Sequence, residues 1–283
     1  MKRICTKVQL QAVLNKEREA GRTIGLVPTM GALHEGHASL VRRSVEENDV
    51  TVVTVFLNPT QFNDQKDLEK YPRTLEADCL LLQTCGADIV FAPSVEEMYP
   101  EPDTRQFSYP PTDAVMEGAF RPGHFNGVCQ IVSKLFLLVE PHRAYFGEKD
   151  FQQIAVIRRM TEDLSLKLEI IPCPVIREKE GLAMSSRNTL LTEAEKQAAN
   201  HIYRILKESQ TWAESDSLQK VHDRVVEEIN RVPELEVQYY SIVDGRTLAE
   251  VGEWNESDDV VGCITVFCGS LPVRLIDHIR YKG

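Results

Sequence analysis

The sequence predicts an α/β protein in which a parallel sheet is covered by helices on both faces and is followed by a second, smaller α+β domain. Its 283 residues suit one large domain or two smaller ones. Up to about residue 176, short apolar runs alternate with helical segments, as in a parallel sheet. Beyond that point two charge-rich helices precede three strand-like runs, which is typical of a separate α+β unit. We therefore expect domains at 1–176 and 177–283.

The chain opens with a helix and a strand–helix–strand unit. Met1 to Lys16 interleaves apolar with polar residues, which predicts an amphipathic helix and not the continuous apolar core of a signal peptide. Runs 23–27 and 51–56 predict short buried strands. The segment 34–48 between them has helical spacing of its apolar residues.

The same alternation continues to the end of the first domain. Thr74 can cap a helix that runs through Cys85, and Gly86 suits the position after its end. The other predicted elements are strand 88–92, helix 127–139, strand 143–146, helix 151–163, strand 168–172, helices 192–209 and 217–232, and strands 237–243, 260–267 and 273–276.

Composition excludes several classes of protein. With 32 Lys+Arg against 43 Asp+Glu the net charge is −11, and no basic stripe is present to bind nucleic acid. The longest apolar run, 135–139, is far below the ~20 residues that cross a bilayer. Seven scattered cysteines without a CxxC pair suggest small buried side chains in a reducing compartment, without a disulfide framework or a zinc site. We expect a cytoplasmic protein with small-molecule substrates and no nucleic-acid or membrane partner.

The loop after the predicted strand 23–27 is the first candidate site, because ligands of open parallel sheets bind beyond the carboxyl ends of the strands. Residues 28–37 read PTMGALHEGH and lead into a helix, whose N-terminus attracts anions. His34 and His37 share a face and can both donate to phosphate oxygens, while Gly36 lets a ligand approach the backbone. The alternative is a histidine pair that only caps the helix.

Three further loops offer polar groups. Gln61 follows the next strand and can hydrogen-bond a small polar substrate, although a loop glutamine is ordinarily solvated. Lys149, in GEKD at another strand-to-helix turn, can reach phosphate or can be a surface lysine. Arg187, in AMSSRN, offers a planar fork for phosphate or belongs to an ordinary loop.

Seven motifs in order closely resemble the pantothenate synthetase (pantoate–β-alanine ligase) family: PTMGALHEGH, FLNPTQF, YPRTLEAD, FAPSVEEMYP, RPGHFNGV, FGEKDFQQ and GLAMSSRN. The resemblance implies a Rossmann-like, doubly wound domain of the nucleotidyltransferase superfamily with its HIGH signature. It also implies a smaller domain that partly covers the active site, and usually a homodimer. The family's reaction converts ATP and (R)-pantoate, with Mg²⁺, to pantoyl adenylate and pyrophosphate. β-Alanine then attacks the adenylate to give pantothenate and AMP.

The resemblance also assigns residues. The catalytic groups are His37, His34, Lys149 and Arg187. The ATP contacts are Met30, Gly31, Ala32, Leu33, His34, Glu35, Gly36, His37, Gly147, Glu148, Lys149, Asp150, Ile176, Met184, Ser185, Ser186 and Arg187. Gln61 and Gln153 are expected to hold pantoate, Gln61 also β-alanine, and Asp78 to lie near Mg²⁺, although Ala77 stands where some relatives have a second acid. Arg121 and His124 match the family and approach either the site or a subunit contact.

Two other readings stay open. Another nucleotidyltransferase, such as a phosphopantetheine adenylyltransferase or a tRNA synthetase fragment, shares the HIGH signature. The net negative charge and the lack of a basic RNA-binding region argue against the synthetase. Gln61 and the motif FGEKDFQQ argue against the other transferases. The second reading is a nucleotide-binding sensor without turnover, which the intact HEGH, Lys149 and Arg187 disfavour.

Overall fold

Two β-sheets organise the chain in the computed structural model, which describes residues 1–63 and 65–283. The larger sheet has six strands in the order β1-β4-β3-β2-β5-β6, and every neighbouring pair is parallel. The predicted α/β class is confirmed. The strands are Lys2–Ile4 (β1), Ile24–Thr29 (β2), Val50–Val55 (β3), Ile89–Phe91 (β4), Arg143–Gly147 (β5) and Glu169–Cys173 (β6).

Helices cover both faces of this sheet. Leu26 of β2 is buried among side chains of the first face, and its neighbour Val27 is buried on the other, because successive strand residues point to opposite sides. The helices are Lys7–Glu19 (α1), Glu35–Glu47 (α2), Gln65–Lys70 (α3), Leu75–Thr84 (α4), Val95–Met98 (α5), Glu117–Phe120 (α6), His124–Val139 (α7) and Phe151–Asp163 (α8). α1, α7 and α8 line the first face, and α2 and α4 the second. Burial on both sides explains why the central strands β2 and β3 consist mostly of apolar residues.

The start of the chain differs from the prediction. A helix over Met1 to Lys16 is wrong for its first part, because residues 2–4 form β1 beside β4, with Ile4 buried. Three residues are too few to show a two-residue period, so the pairing with β4 decides their structure. α1 begins only after Thr6, whose hydroxyl accepts a hydrogen bond from the Gln9 amide.

The other predicted helices and strands are present with shifted ends. The largest difference is at the last strand, which runs to Lys282 instead of ending at Ile276. The helix predicted from residue 127 begins at His124, and β2 continues past Pro28 to Thr29 beside β3. Three short helices, α3, α5 and α6, were not predicted, because four to six residues each are too few to show helical spacing.

The second sheet is antiparallel, in the order β7-β8-β9. One face packs against two long helices, and Thr192 and Glu195 form a capping box at the start of the first. The other face packs against the first domain, where Val261 and Cys263 lie against Met116 and Phe151. The elements are Glu193–Trp212 (α9), Leu218–Asn230 (α10), Leu235–Asp244 (β7), Val260–Cys268 (β8) and Val273–Lys282 (β9). Within the described part of the chain, no helix has both the length and the apolar character needed to span a bilayer.

Candidate active site

A cavity of about 200 Å³ lies at the carboxyl ends of β2, β3, β5 and β6. This is the edge that the topology of an open parallel sheet selects for a ligand. Most of the residues singled out from the sequence line it: Met30, His34, Gly36, His37, Gln61, Gly147, Lys149, Asp150, Gln153, Ile176, Met184, Ser185, Ser186 and Arg187.

The two histidines of the first loop cap α2 and face the cavity at the same time. Nδ1 of His34 accepts a hydrogen bond from the Gly36 amide at 3.1 Å, and Nδ1 of His37 accepts one from the His34 amide at 3.3 Å. A ring nitrogen that accepts carries no proton, so each neutral ring keeps its proton on Nε2. The capping alternative and the binding role are therefore compatible, since capping uses Nδ1 and leaves Nε2–H to donate.

Burial keeps both rings neutral. Desolvation, with Lys149 nearby, lowers the pKa of His34 to about 4. The pKa of His37 is well below its ordinary value, first through burial and then through His34 and Lys149. The rings, whose centroids are 4.1 Å apart, offer two neutral N–H donors at a helix N-terminus.

The turn from β5 to α8 brings a cation to the same cavity. A Cβ built on Gly147 would meet nothing within 4 Å, so the backbone here borders open space that a ligand can enter. Lys149 is 20% exposed, and its Nζ lies 3.7 Å from a carboxylate oxygen of Asp150. Lys149 and the N-terminus of α8 are the positive groups of this turn, and Glu148 and Asp150 are its carboxylates.

Residues 184–187 close the cavity from the start of the second domain. The Met184 amide donates to the Ile176 carbonyl, and the hydroxyls of Ser186 and Tyr71 share a hydrogen bond of 3.1 Å. Arg187 donates from Nη2 to Asp67 at 2.9 Å. The loop is thereby attached to α3 and to Tyr71 just after it, across the cavity mouth.

A neutral amide network fixes Gln61. Asn58, which is 1% exposed, donates from Nδ2 to Oε1 of Gln61 at 3.1 Å. Oδ1 of Asn58 accepts from the Tyr99 hydroxyl at 2.8 Å. Because Oε1 of Gln61 is occupied, its Nε2 points to Met30 and the cavity. Apolar side chains complete this part of the wall: Phe56, Val128, Ile131, Val132 and Leu135.

Several residues named from the sequence do not line this cavity: Gly31, Ala32, Leu33, Glu35, Glu148 and Asp78. Glu35 is exposed and paired with Arg42. Asp78 is 2% exposed, and its two oxygens accept the amides of Ala32 and Leu33 at 3.1 and 2.8 Å. In this structure the oxygens of Asp78 hold the 30–33 loop, and its place near Mg²⁺ stays a prediction.

Four residues of the site were not predicted individually: Thr29, Asn58 and Tyr71 line the cavity, and Tyr99 donates to Asn58. Each lies inside one of the quoted motifs, which is the signal that could have found it. Arg121 and His124 line a neighbouring cavity between the two domains, which assigns them to the surroundings of the site.

The family model for pantoate–β-alanine ligase matches residues 2–280. A pantothenate synthetase of Bacteroides fragilis is 62% identical over 282 residues, covering 100% of this chain and 99% of that protein. One from Acetivibrio thermocellus is 44% identical and covers 99% of each.

Solved structures agree with these sequence matches. A crystal structure of pantothenate synthetase from Thermus thermophilus has a TM-score of 0.93 and 42% identity, with 100% of both chains covered. A pantoate–β-alanine ligase from Francisella tularensis, described as complexed with β,γ-ATP and β-alanine, has a TM-score of 0.82 and 32% identity, covering 99% of this chain and 98% of that one.

Proposed function

This chain belongs to the pantoate–β-alanine ligase family, and from that premise we propose how its cavity carries out the family's reaction. The protein is an AMP-forming ligase that condenses (R)-pantoate with β-alanine through a pantoyl adenylate. One observation supports the residue assignment. Two neutral histidine N–H donors and the cations Lys149 and Arg187 line the same cavity as the neutral amides of Gln61 and Gln153.

In the first step a carboxylate oxygen of pantoate bonds to the α-phosphorus of ATP, and the bond to pyrophosphate breaks. Negative charge builds on the nonbridging oxygens and on the departing pyrophosphate, so positioning and fixed positive groups supply the catalysis. We assign this role to Nε2–H of His34 and His37, to Lys149 and to Arg187. The 184–187 loop and the 147–150 turn complete the ATP contacts.

Pantoate is held by neutral groups in this proposal. Its carboxylate must attack, and an arginine clamped on it would reduce its reactivity. Gln61 and Gln153 instead hydrogen-bond its hydroxyls, and the apolar wall with Val128 and Leu135 receives its two methyl groups. Asn58 orients the Gln61 amide, since it occupies Oε1 and leaves Nε2 for the substrate.

In the second step the amine of β-alanine bonds to the acyl carbon, the bond from that carbon to the phosphate oxygen breaks, and AMP leaves. The amine loses a proton, and the product is the amide pantothenate. We place β-alanine beside Gln61, as the family resemblance implies.

We further propose that Mg²⁺ would be held mainly by the ATP phosphates, where it would supply positive charge to the pyrophosphate group. Across residues 1–63 and 65–283 no group of three or more His, Cys, Asp or Glu side chains is arranged to hold a metal ion. The oxygens of Asp78 are engaged with loop amides. The donor set therefore fits a metal that arrives with the nucleotide.

The domain division at residues 176 and 177 is part of the same proposal. Arg177 makes a bidentate pair with Asp277 of β9 and lies over the Tyr203 ring at 3.5 Å, so its side chain packs within the second unit. A homodimer is proposed from the family resemblance, and sedimentation measures it. The cytoplasmic location stays a prediction.

Product analysis tests the function. With ATP, pantoate and β-alanine together, we expect AMP, pyrophosphate and pantothenate in equal amounts. Formation of ADP and phosphate, or an equal rate with pantoate omitted, would refute the assignment.

A further inference from the structure

Arg121 lies where the site opens toward the second domain. Behind Gln153 is a cavity of about 40 Å³, and outside it a cleft of about 640 Å³ between the domains. Lys149 and Asp150 border both of these and the main cavity. Arg121 borders the small cavity and the cleft, and the reaction steps above give it no role.

The guanidinium of Arg121 has hydrogen-bond donors to spare. Its side chain is only 18% exposed. Its two contacts, 3.5 Å to a Glu117 oxygen and 3.2 Å to Nε2 of His124, both involve Nη1. Nε and Nη2 make no hydrogen bond to any other described residue. An arginine fork of this kind is suited to a carboxylate.

Glu117 does not neutralise Arg121 fully, because other groups occupy its oxygens. Arg274 binds both of them. The hydroxyls of Tyr239 and Thr265 donate to Oε1 at 2.8 and 3.0 Å. Burial lowers the pKa of the Arg121 guanidinium, and Glu117 opposes this effect. Arg121 therefore shares its nearest carboxylate with Arg274 and keeps donors for a further anion.

The other arginines around these cavities are engaged. Arg187 pairs with Asp67 and is assigned above to ATP. Arg274 uses Nη1 and Nη2 for Glu117 and Nε for Gln238. Among the described contacts Arg187 also keeps Nε and Nη1 unbonded, but its role is taken by ATP, so Arg121 is the arginine of the three with open donors and no assigned ligand.

The position of Arg121 relative to Gln61 suits β-alanine. His124 lies between them, accepting from Arg121 at Nε2 and donating from Nδ1 to the Gln61 carbonyl at 2.8 Å. One imidazole ring therefore separates the guanidinium from the residue assigned to β-alanine. The amine and the carboxylate of β-alanine are separated by two methylene groups, so its two charged ends contact different residues of the site. About 10–15 Å³ of such space holds one water, so the small cavity has room for about three heavy atoms, the size of a carboxylate.

We propose that Arg121 binds the carboxylate of β-alanine and thereby selects this amine over amines that lack a carboxylate. The inference rests on the proposed function and adds a binding group for the second substrate. It gives Arg121 no part in adenylation, because pantoate and ATP react before the amine does.

Arg121→Gln tests this with two amines, β-alanine and its neutral amide 3-aminopropanamide. In the wild type we expect strong preference for β-alanine. In the variant, kcat/KM for β-alanine falls about 10- to 100-fold, as loss of a charged hydrogen bond predicts, while the value for the amide changes little and the preference disappears. Pantoate-dependent exchange of pyrophosphate into ATP, measured without β-alanine, stays within about two-fold. Arg121→Lys restores part of the preference.

Lys70→Gln is the matched control, because it removes one positive charge from the rim of the same cleft and should keep the preference. A preference that survives in Arg121→Gln overturns the inference. So does an equal fall in exchange and in the second step, which would mean that Arg121 only supports Gln61 through His124. A wild-type enzyme without pantoate-dependent exchange refutes the proposed function itself, so the two failures are distinguishable.

Discussion

The ring of His34 leaves no room for a side chain on Gly36. A Cβ on residue 36 would lie 2.8 Å from Cε1 and 2.9 Å from Nδ1 of His34, because the ring lies against the backbone amide that it caps. This contact turns Nε2–H of His34 to the cavity. The glycine of HEGH is therefore needed for the orientation of the histidine before it.

Gly36→Ala should separate activity from stability. Loss of the cap costs about 1 kcal/mol, but alanine gains about as much over glycine inside a helix, so the unfolding free energy changes little. Displacement of the His34 ring removes one donor, and we expect adenylation to fall about 10- to 100-fold. Single-turnover adenylation and chemical denaturation measure the two effects.

Gly252→Ala provides the control, because a Cβ there has its nearest neighbour at 3.5 Å, far from the cavity lining. It should leave both quantities unchanged. If Gly36→Ala adenylates as fast as the wild type, the cap does not orient His34 for the reaction.

Gly127→Ala should weaken pantoate binding. A Cβ at this position in α7 would lie 2.3 Å from the Thr60 carbonyl oxygen and 2.6 Å from the Gln61 amide nitrogen, and backbone atoms cannot rotate away. We expect a stability loss of about 1–3 kcal/mol and a raised KM for pantoate with the KM for ATP retained. An unchanged pantoate KM would show that Gln61 does not depend on this close approach.

His37→Ala and Lys149→Ala should each lower adenylation by more than ~10²-fold, as removal of a group that stabilises transition-state charge does. Single-turnover formation of the adenylate measures the step without product release. Arg246→Ala, a substitution at an exposed turn of the second domain, serves as a control. A rate near that of the wild type would remove the residue concerned from the mechanism.

His124 should make stability fall in mild acid. Burial lowers its pKa to about 4 from an ordinary 6.5, so the unfolded chain binds a proton before the folded protein does. The neutral His124 ring does not lower the free energy of unfolding above pH 6.5. Between pH 6.5 and pH 4 the unfolded chain is protonated first, and the free energy of unfolding falls by on the order of 3 kcal/mol. His124→Gln should show a smaller loss of unfolding free energy between pH 7 and pH 4.5 than the wild type. Equal losses would contradict a buried neutral His124.

The sheet and its ligand-binding edge were predictable because they follow from local patterns. Apolar runs that alternate with helical spacing specify a parallel sheet, and chain direction then places the loops of His34, Gln61 and Lys149 at one edge. β1 was missed because three residues carry no periodic signal.

The contacts that support the site could not be derived from spacing. Asp78 lies 46 residues after Ala32 and 45 residues after Leu33 in the sequence. Only the packed fold brings its carboxylate to their amides. The bond between Tyr71 and Ser186 joins residues far apart in sequence. Such pairs depend on how the second domain meets the first.

Because the net charge of the chain is −11, positive groups must be concentrated at the site for anionic substrates to bind. Three anionic groups must approach: the ATP phosphates, pantoate and the carboxylate of β-alanine. Lys149, Arg187 and Arg121 border the cavities where they meet, together with the N-termini of α2 and α8.

Exchange of labelled pyrophosphate into ATP, with pantoate present and β-alanine absent, tests the central claim most directly. Reversible formation of a pantoyl adenylate predicts exchange that requires pantoate and Mg²⁺ and that is lost in Lys149→Ala. Exchange at the same rate without pantoate, or no exchange while pantothenate still forms from all three substrates, would contradict the adenylate pathway assigned to this cavity.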